Sequence, residues 1–153
     1  KDRDVIACAR SADLSLVTLL FLPSGFLLGS RTFSFTAPIV DDLELISAFI
    51  RQYYETAQFI PNEILIPVLP EESTLLEEWL QTVKGARVVL HRPRRGEKAR
   101  LLAMAAQNAA KELEEHLARE TDRGSGTARD YQVLRTLTMR LRPAASRPEP
   151  CTR

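Results

Sequence analysis

The stretch FLLGSRTFSFTAPIVDDLELISAFIRQYYETA (residues 26–57) changes its hydrophobic period partway along. Up to Phe35 the pattern alternates, with Phe33 and Phe35 on one side, which is the period of a strand. After Pro38 the residues Leu43, Ile46, Ile50, Tyr53 and Ala57 recur at spacings of three and four, which is one face of a helix. Asp41 or Asp42 can cap that helix by accepting from its free N–H groups. Gly29, inside the strand, suggests a bulge or a close backbone approach.

Upstream, DVIACAR (4–10) and LSLVTLLFL (14–22) are short apolar runs separated by the polar SAD (11–13). PSG (23–25) is turn chemistry, and FLLGSRTFSF (26–35) follows it. Three strands with tight connections make an antiparallel meander. Downstream, NEILIPVLP (62–70) is a buried strand fenced by Pro61 and Pro67. EESTLLEEWLQTV (71–83) is a second helix, with Leu75, Leu76, Trp79 and Leu80 as its stripe. Ser73 and Thr74 ahead of Glu77 and Glu78 offer a capping box, and Gly85 a helix stop. ARVVLH (86–91) is a further strand. From about Arg95 to Arg119 runs the longest helix, with Leu102, Ala106, Ala109, Leu113 and Leu117 inward and Lys111–Glu115 as an exposed pair. The order β-β-β-α-β-α-β-α describes an α/β domain, a mixed sheet with helices packed on it, and matches the ribonuclease-H-like fold. Residues 1–120 form that domain. Residues 121–153 form a linker or flexible, disordered tail: TDRGSGT (121–127) breaks the helix, ARDYQVLRTLTMRLR (128–142) is weakly amphipathic, and PAASRPEPCTR (143–153) is rich in Pro, Ser and Arg.

With 153 residues, 44% hydrophobic and 27% charged, the composition is that of a soluble globular chain. The net charge of +1 advertises no polyanion partner for the molecule as a whole. The longest apolar stretch (14–28) is broken by Pro23, Ser24 and Gly25 and is too short to span a bilayer, so no membrane association is expected. No signal peptide opens the chain, and Cys8 and Cys151 lie far apart, so a reduced, cytoplasmic protein is expected. A start at Lys1 rather than Met leads us to expect a piece of a longer protein.

Positive charge is concentrated at one place. Lys84, Arg87, Arg92, Arg94, Arg95, Lys98 and Arg100 fall within one helix-strand-helix corner, with Pro93 stiffening it and Gly96 permitting close backbone contact. The helix that begins there points free N–H groups the same way. Cations gathered on a positive helix end call for a compensating anion, and a DNA phosphate backbone is the candidate. The plainer reading is a solvated run paired with the acidic second helix (Glu71, Glu72, Glu77, Glu78).

Nuclease chemistry on this fold needs several carboxylates converging on divalent metal. The first strand offers Ala7, Cys8 and Ala9, with Asp4 at its entrance. Glu44 lies on the first helix, and the last helix has Gln107 and Asn108 where an acid is wanted. This argues for a catalytically empty domain with no metal or other cofactor. His91 and His116 lack companions at zinc spacing, and GFLLGS lacks the Lys-Ser/Thr ending of a phosphate loop. Cys8 reads as a small buried hydrophobe, and Trp79, Tyr53 and Tyr54 as packing.

The ordered set DVIACAR, GFLLGSRTF, FIRQYY, IPNEI, LLEEWL, PRRGEK and AAQNAA resembles the central region of the UvrC family of excinucleases over roughly residues 2–120. The resemblance implies a fragment of the nuclease component of UvrABC, which in bacterial nucleotide excision repair joins UvrB on damaged DNA and cuts on both sides. It implies a place in the response to DNA damage, the SOS response included. It also implies partners in DNA, UvrB through the longer protein, and other UvrC domains. Nuclease domains of the family use a divalent metal such as magnesium. The central region looks like a ribonuclease-H-like domain without its acids. The GIY-YIG residues, the UvrB-binding helices, the catalytic Asp-bearing strand and the hairpin motifs are all missing from this stretch. The expected role is a non-catalytic module that contacts DNA or docks other domains. A purely structural spacer is one alternative, and a residual nuclease using Asp4 and Glu44 is another.

Overall fold

The computed structural model describes residues 1–12, 14–36, 41–121 and 136–138. Strands β1 (Arg3–Arg10), β2 (Ser15–Leu22) and β3 (Gly29–Phe35) form the antiparallel meander, in the registers Arg3 to Leu22 and Phe21 to Gly29. Then come α1 (Asp42–Thr56), β4 (Glu63–Leu65), α2 (Ser73–Lys84), β5 (Val89–His91) and α3 (Gly96–Thr121). This is the element order the sequence predicts. A short sixth strand, β6 (Thr136–Thr138), lies parallel to β3, and the sheet order is β5-β4-β1-β2-β3-β6. The expected tail otherwise falls outside the described residues, as does nearly all of the amphipathic stretch 128–142.

Each face of the sheet has its own core, because successive side chains on a strand point to opposite sides. One face gathers Ile6, Val17, Leu19, Phe33, Phe35 and Ile64 under α1 and α2. The other gathers Val5, Ala7, Leu20, Leu22 and Leu65 with Ala105 of α3. β1 and β2 are covered on both sides, so they read as continuous apolar runs rather than alternating ones. Phe49 binds the first core: its ring stacks on Tyr53 at 5.4 Å and meets Phe33 at 5.0 Å.

Several local expectations shift. β3 begins at Gly29, and Phe26, Leu27 and Leu28 stand exposed in the connection. Gly29 pairs regularly with Phe21, and a Cβ there would meet nothing within 4 Å, so it is neither a bulge nor a close approach. The buried side of α1 is Leu45, Ile46, Phe49, Ile50 and Tyr54, while Leu43 is exposed. Asp41 caps that helix, its Oδ1 accepting from Glu44 N at 2.8 Å. α2 has no side-chain cap, and Leu75 is exposed, so the capping box does not form. Gly85 does end α2, at φ 76, donating its N–H to Gln81 O at 2.7 Å. α3 buries Ala105, Ala109 and Leu113 and exposes Ala106. Glu115 pairs with Arg119 on α3 rather than with Lys111.

Candidate nucleic-acid interface

The basic corner forms where the chain leaves β5 and turns back to begin α3. Pro93 is buried and anchors the turn, while Arg92, Arg94 and Arg95 around it are exposed. Gly96 takes φ 83, a conformation costly for a residue with a Cβ. A Cβ there would meet nothing within 4 Å, so the glycine serves this backbone angle and not a close contact. Arg87 before β5 and Arg100 on α3 are exposed as well. Among the described residues no ion pair involves Arg87, Arg92, Arg94, Arg95 or Arg100.

The two lysines of the cluster are engaged by partners within the chain. Lys98 Nζ donates to Glu63 Oε2 at 2.8 Å, and Lys84 Nζ donates to Asn62 Oδ1 at 3.1 Å. Arg3 joins them from β1, its Nε donating to Glu63 Oε1 at 2.9 Å. Two of the stretches that carry the resemblance, IPNEI and PRRGEK, are therefore tied to each other at the start of β4. Burial pushes the Glu63 carboxyl up, but the hydrogen bonds and charges of Lys98 and Arg3 outweigh it and hold it below the usual glutamate value. Arg3 and Glu63 were not legible as partners: sixty residues separate them, and only the parallel pairing of β1 with β4 sets them side by side.

That latch holds the first turn of α3 on the sheet. Glu63→Gln is expected to destabilise the chain by about 1–2 kcal/mol at pH 7, below the 3–5 kcal/mol typical of a fully buried pair, because Lys98 can return to water. Because folding lowers the Glu63 pKa, its contribution is complete above the unfolded value near 4.5 and is lost as pH falls through the folded one. Urea melts at pH 7 and pH 3 check this: the difference between the two proteins should shrink at pH 3.

Among the described residues no ion pair links the acidic helix to the corner. Glu77 Oε1 accepts from Leu90 N at 2.8 Å, satisfying a donor on the outer edge of β5. Glu71, Glu72 and Glu78 are exposed.

Among the described residues the acids do not fit a ribonuclease-H-like site for divalent metal. Asp4 is buried and bonded to Tyr54, while Glu44 sits nearly three turns away along α1, about 15 Å of helix rise. That separation along α1 argues against the reading that joins them in a residual nuclease. Among the described residues no three His, Cys, Asp or Glu side chains gather closely enough to hold a metal. Cys8 is half-buried against the core. Burial, and then Asp42, push its thiol up to about 12, which makes it a poor nucleophile at neutral pH. Tyr54 is wholly buried and Trp79 packs against the same core. Among the described residues no helix is long and apolar enough to cross a membrane.

In the sequence Asp4 stands at a strand entrance, where an acid is ordinarily wet. The structure buries it between β2 and β4, with Tyr54 Oη donating to Oδ2 at 2.7 Å. Burial pushes its carboxyl up to about 6, against the lowering effect of the Tyr54 bond. Its position beside an apolar run, in DVIA, is the one sequence signal of that burial.

Comparison with known proteins places this arrangement. The model of the UvrC ribonuclease H-like domain matches residues 2–116. The UvrABC system protein C of Desulfatibacillum aliphaticivorans is 44% identical over 119 residues, covering 78% of this chain and 20% of that protein. Its counterpart in Desulforapulum autotrophicum is 46% identical over 117 residues, covering 76% and 19%. That of Desulforudis audaxviator is 41% identical over 136 residues, covering 88% and 22%. The chain thus spans about a fifth of the length of these relatives. On this match, which covers most of the chain, the chain belongs to the UvrC ribonuclease H-like domain family.

Proposed function

We propose that this chain is a non-catalytic, DNA-contacting module of a UvrC-type nucleotide excision repair protein. The observation that carries the reading is the set of exposed arginines without ion-pair partners, among the described residues, around the start of α3. Guanidinium groups suit phosphate because they offer several donors in a rigid fork. The two lysines act differently, by holding the corner's shape rather than meeting DNA. The misfit of the acids to a metal site supports contact without cleavage. In the longer protein the partners would be DNA, UvrB and neighbouring UvrC domains, in the cytoplasm.

Backbone contact of this kind is dominated by counter-ion release. For the 153-residue chain and a short duplex, the logarithm of the binding constant is expected to fall with the logarithm of salt with a slope of about −3 to −4, as for roughly four phosphate contacts. A slope near zero would remove the corner from DNA binding. Duplex nicking in manganese that disappears in Glu44→Gln would contradict the non-catalytic part.

A further inference from the structure

On the face away from the basic corner, an open cleft of about 740 Å³ ends on an acid without a counter-ion among the described residues. Its walls include Phe21, Phe33, Tyr53 and Phe59, with Arg31 also on the lining and Asp4 among them. Asp4 is 4% exposed, and its side chain is bonded by Tyr54. The charge that acts on it most is Asp2, of its own sign. Arg3, next to it in the strand, faces the opposite side and holds Glu63. Leaving a buried carboxylate unpaired is costly, so a cation arriving from outside would gain both its charge and its hydrogen bonds.

We propose that this cleft binds a single lysine or arginine side chain carried on an apolar protein segment. Two independent features select the cation: the acid on the lining, and aromatic side chains in the walls, of which Phe59 is the most exposed. Arg31 charges the lining and opposes a second cation, which favours one basic residue over a basic tract. The surroundings select the apolar segment. Phe59 on the lining is 57% exposed, and the β2–β3 connection leaves Phe26 77% and Leu28 79% exposed. That connection is fixed at the Asp4 end of the sheet, because Asp2 Oδ1 accepts from Ser24 N at 2.9 Å and Leu28 N donates to Phe21 O at 2.8 Å. Nucleic acid suits the cleft less well, since Asp2 and Asp4 repel phosphate.

The groups facing Asp4 are Asp2 ahead of β1 and Tyr54 of α1, while Tyr53 of α1 and Arg31 of β3 line the same cleft. Because Asp4 titrates near 6, the attraction should strengthen as pH rises from about 5 to about 7.5.

The test titrates the 153-residue chain with two blocked tripeptides, one with arginine between leucine and phenylalanine, the other with glutamine there, followed by NMR at pH 5 and 7.5. At pH 7.5 the arginine peptide should bind at least about tenfold tighter and shift the amide signals of Asp4 and Tyr53. At pH 5 that advantage should fall by about tenfold, as the carboxylate fraction does. Asp4→Asn should abolish the preference, and Phe59→Ser, at an exposed position, should weaken both peptides alike. The basic corner is not involved, so Arg92→Glu, Arg94→Glu and Arg95→Glu together should leave peptide binding unchanged. Equal binding of the two peptides, or a preference that survives Asp4→Asn, would overturn the proposal. Displacement of the arginine peptide by a single-stranded oligonucleotide would also overturn it, by giving the cleft to nucleic acid.

Discussion

Asp4→Asn is expected to make the chain more stable at pH 7.5 by about 2–3 kcal/mol, an unusual direction for a substitution at a buried polar position. The reason lies in the carboxyl's surroundings. Burial raises it from 3.8 to about 6, and a displacement of that size corresponds to about 3 kcal/mol between its two protonation states. The sign follows from proton binding. Between those two values the folded chain holds a proton that the unfolded chain has released, so stability is fully present below 3.8 and is lost as pH rises through 6. Above 6 a charge sits buried with Tyr54 as its donor. Asparagine keeps an acceptor for Tyr54 and removes the charge. Urea melts of both proteins should therefore diverge at pH 7.5 and converge near pH 4. Equal midpoints at both pH values would show that the carboxyl is better solvated than its 4% exposure implies.

Changing Arg92, Arg94 and Arg95 together to glutamate is expected to weaken duplex binding by on the order of 10²-fold or more at 50 mM salt, with the loss narrowing as salt rises. Three phosphate contacts removed should also flatten the salt slope by roughly 3. The fold should survive, because all three side chains are exposed and none takes part in an ion pair among the described residues. Thermal melting of the variant checks that condition, and filter binding or fluorescence anisotropy across a salt series reads the effect. Glu63→Gln offers a contrast. It touches no exposed arginine but loosens the turn that presents them, so it should cost stability first and affinity second. An affinity unchanged in the triple variant would assign the corner to protein surface and favour the spacer reading.

The two predictions concern opposite faces of one strand end. Arg3 and Asp4 are adjacent, yet Arg3 helps to hold the corner and Asp4 lines the cleft. The alternation of a strand separates the two roles across the sheet. The two proposals together give the module one side for DNA and the other for a neighbouring protein segment.

Much of this was determined by the sequence alone. The change of period after Pro38, the meander before it and the helix stop at Gly85 are local properties, set by side-chain spacing and backbone angle, and they appear as read. The clustering of cations between Lys84 and Arg100 is equally local. Only the tertiary structure decided which cations stay exposed. Lys84 and Lys98 look like their arginine neighbours in the sequence, but Asn62 and Glu63 reach them through the packing of α2 and α3 at the start of β4. The same holds for the buried side of α1. Periodicity announces an apolar face, but Leu43 lies outside and Leu45 and Phe49 inside because the sheet's position sets the edge of the contact. Asp4 is the sharpest case. Here β2 and β4 flank an acid at a strand entrance and Tyr54 covers it, and burial by distant segments is a property that no local pattern encodes.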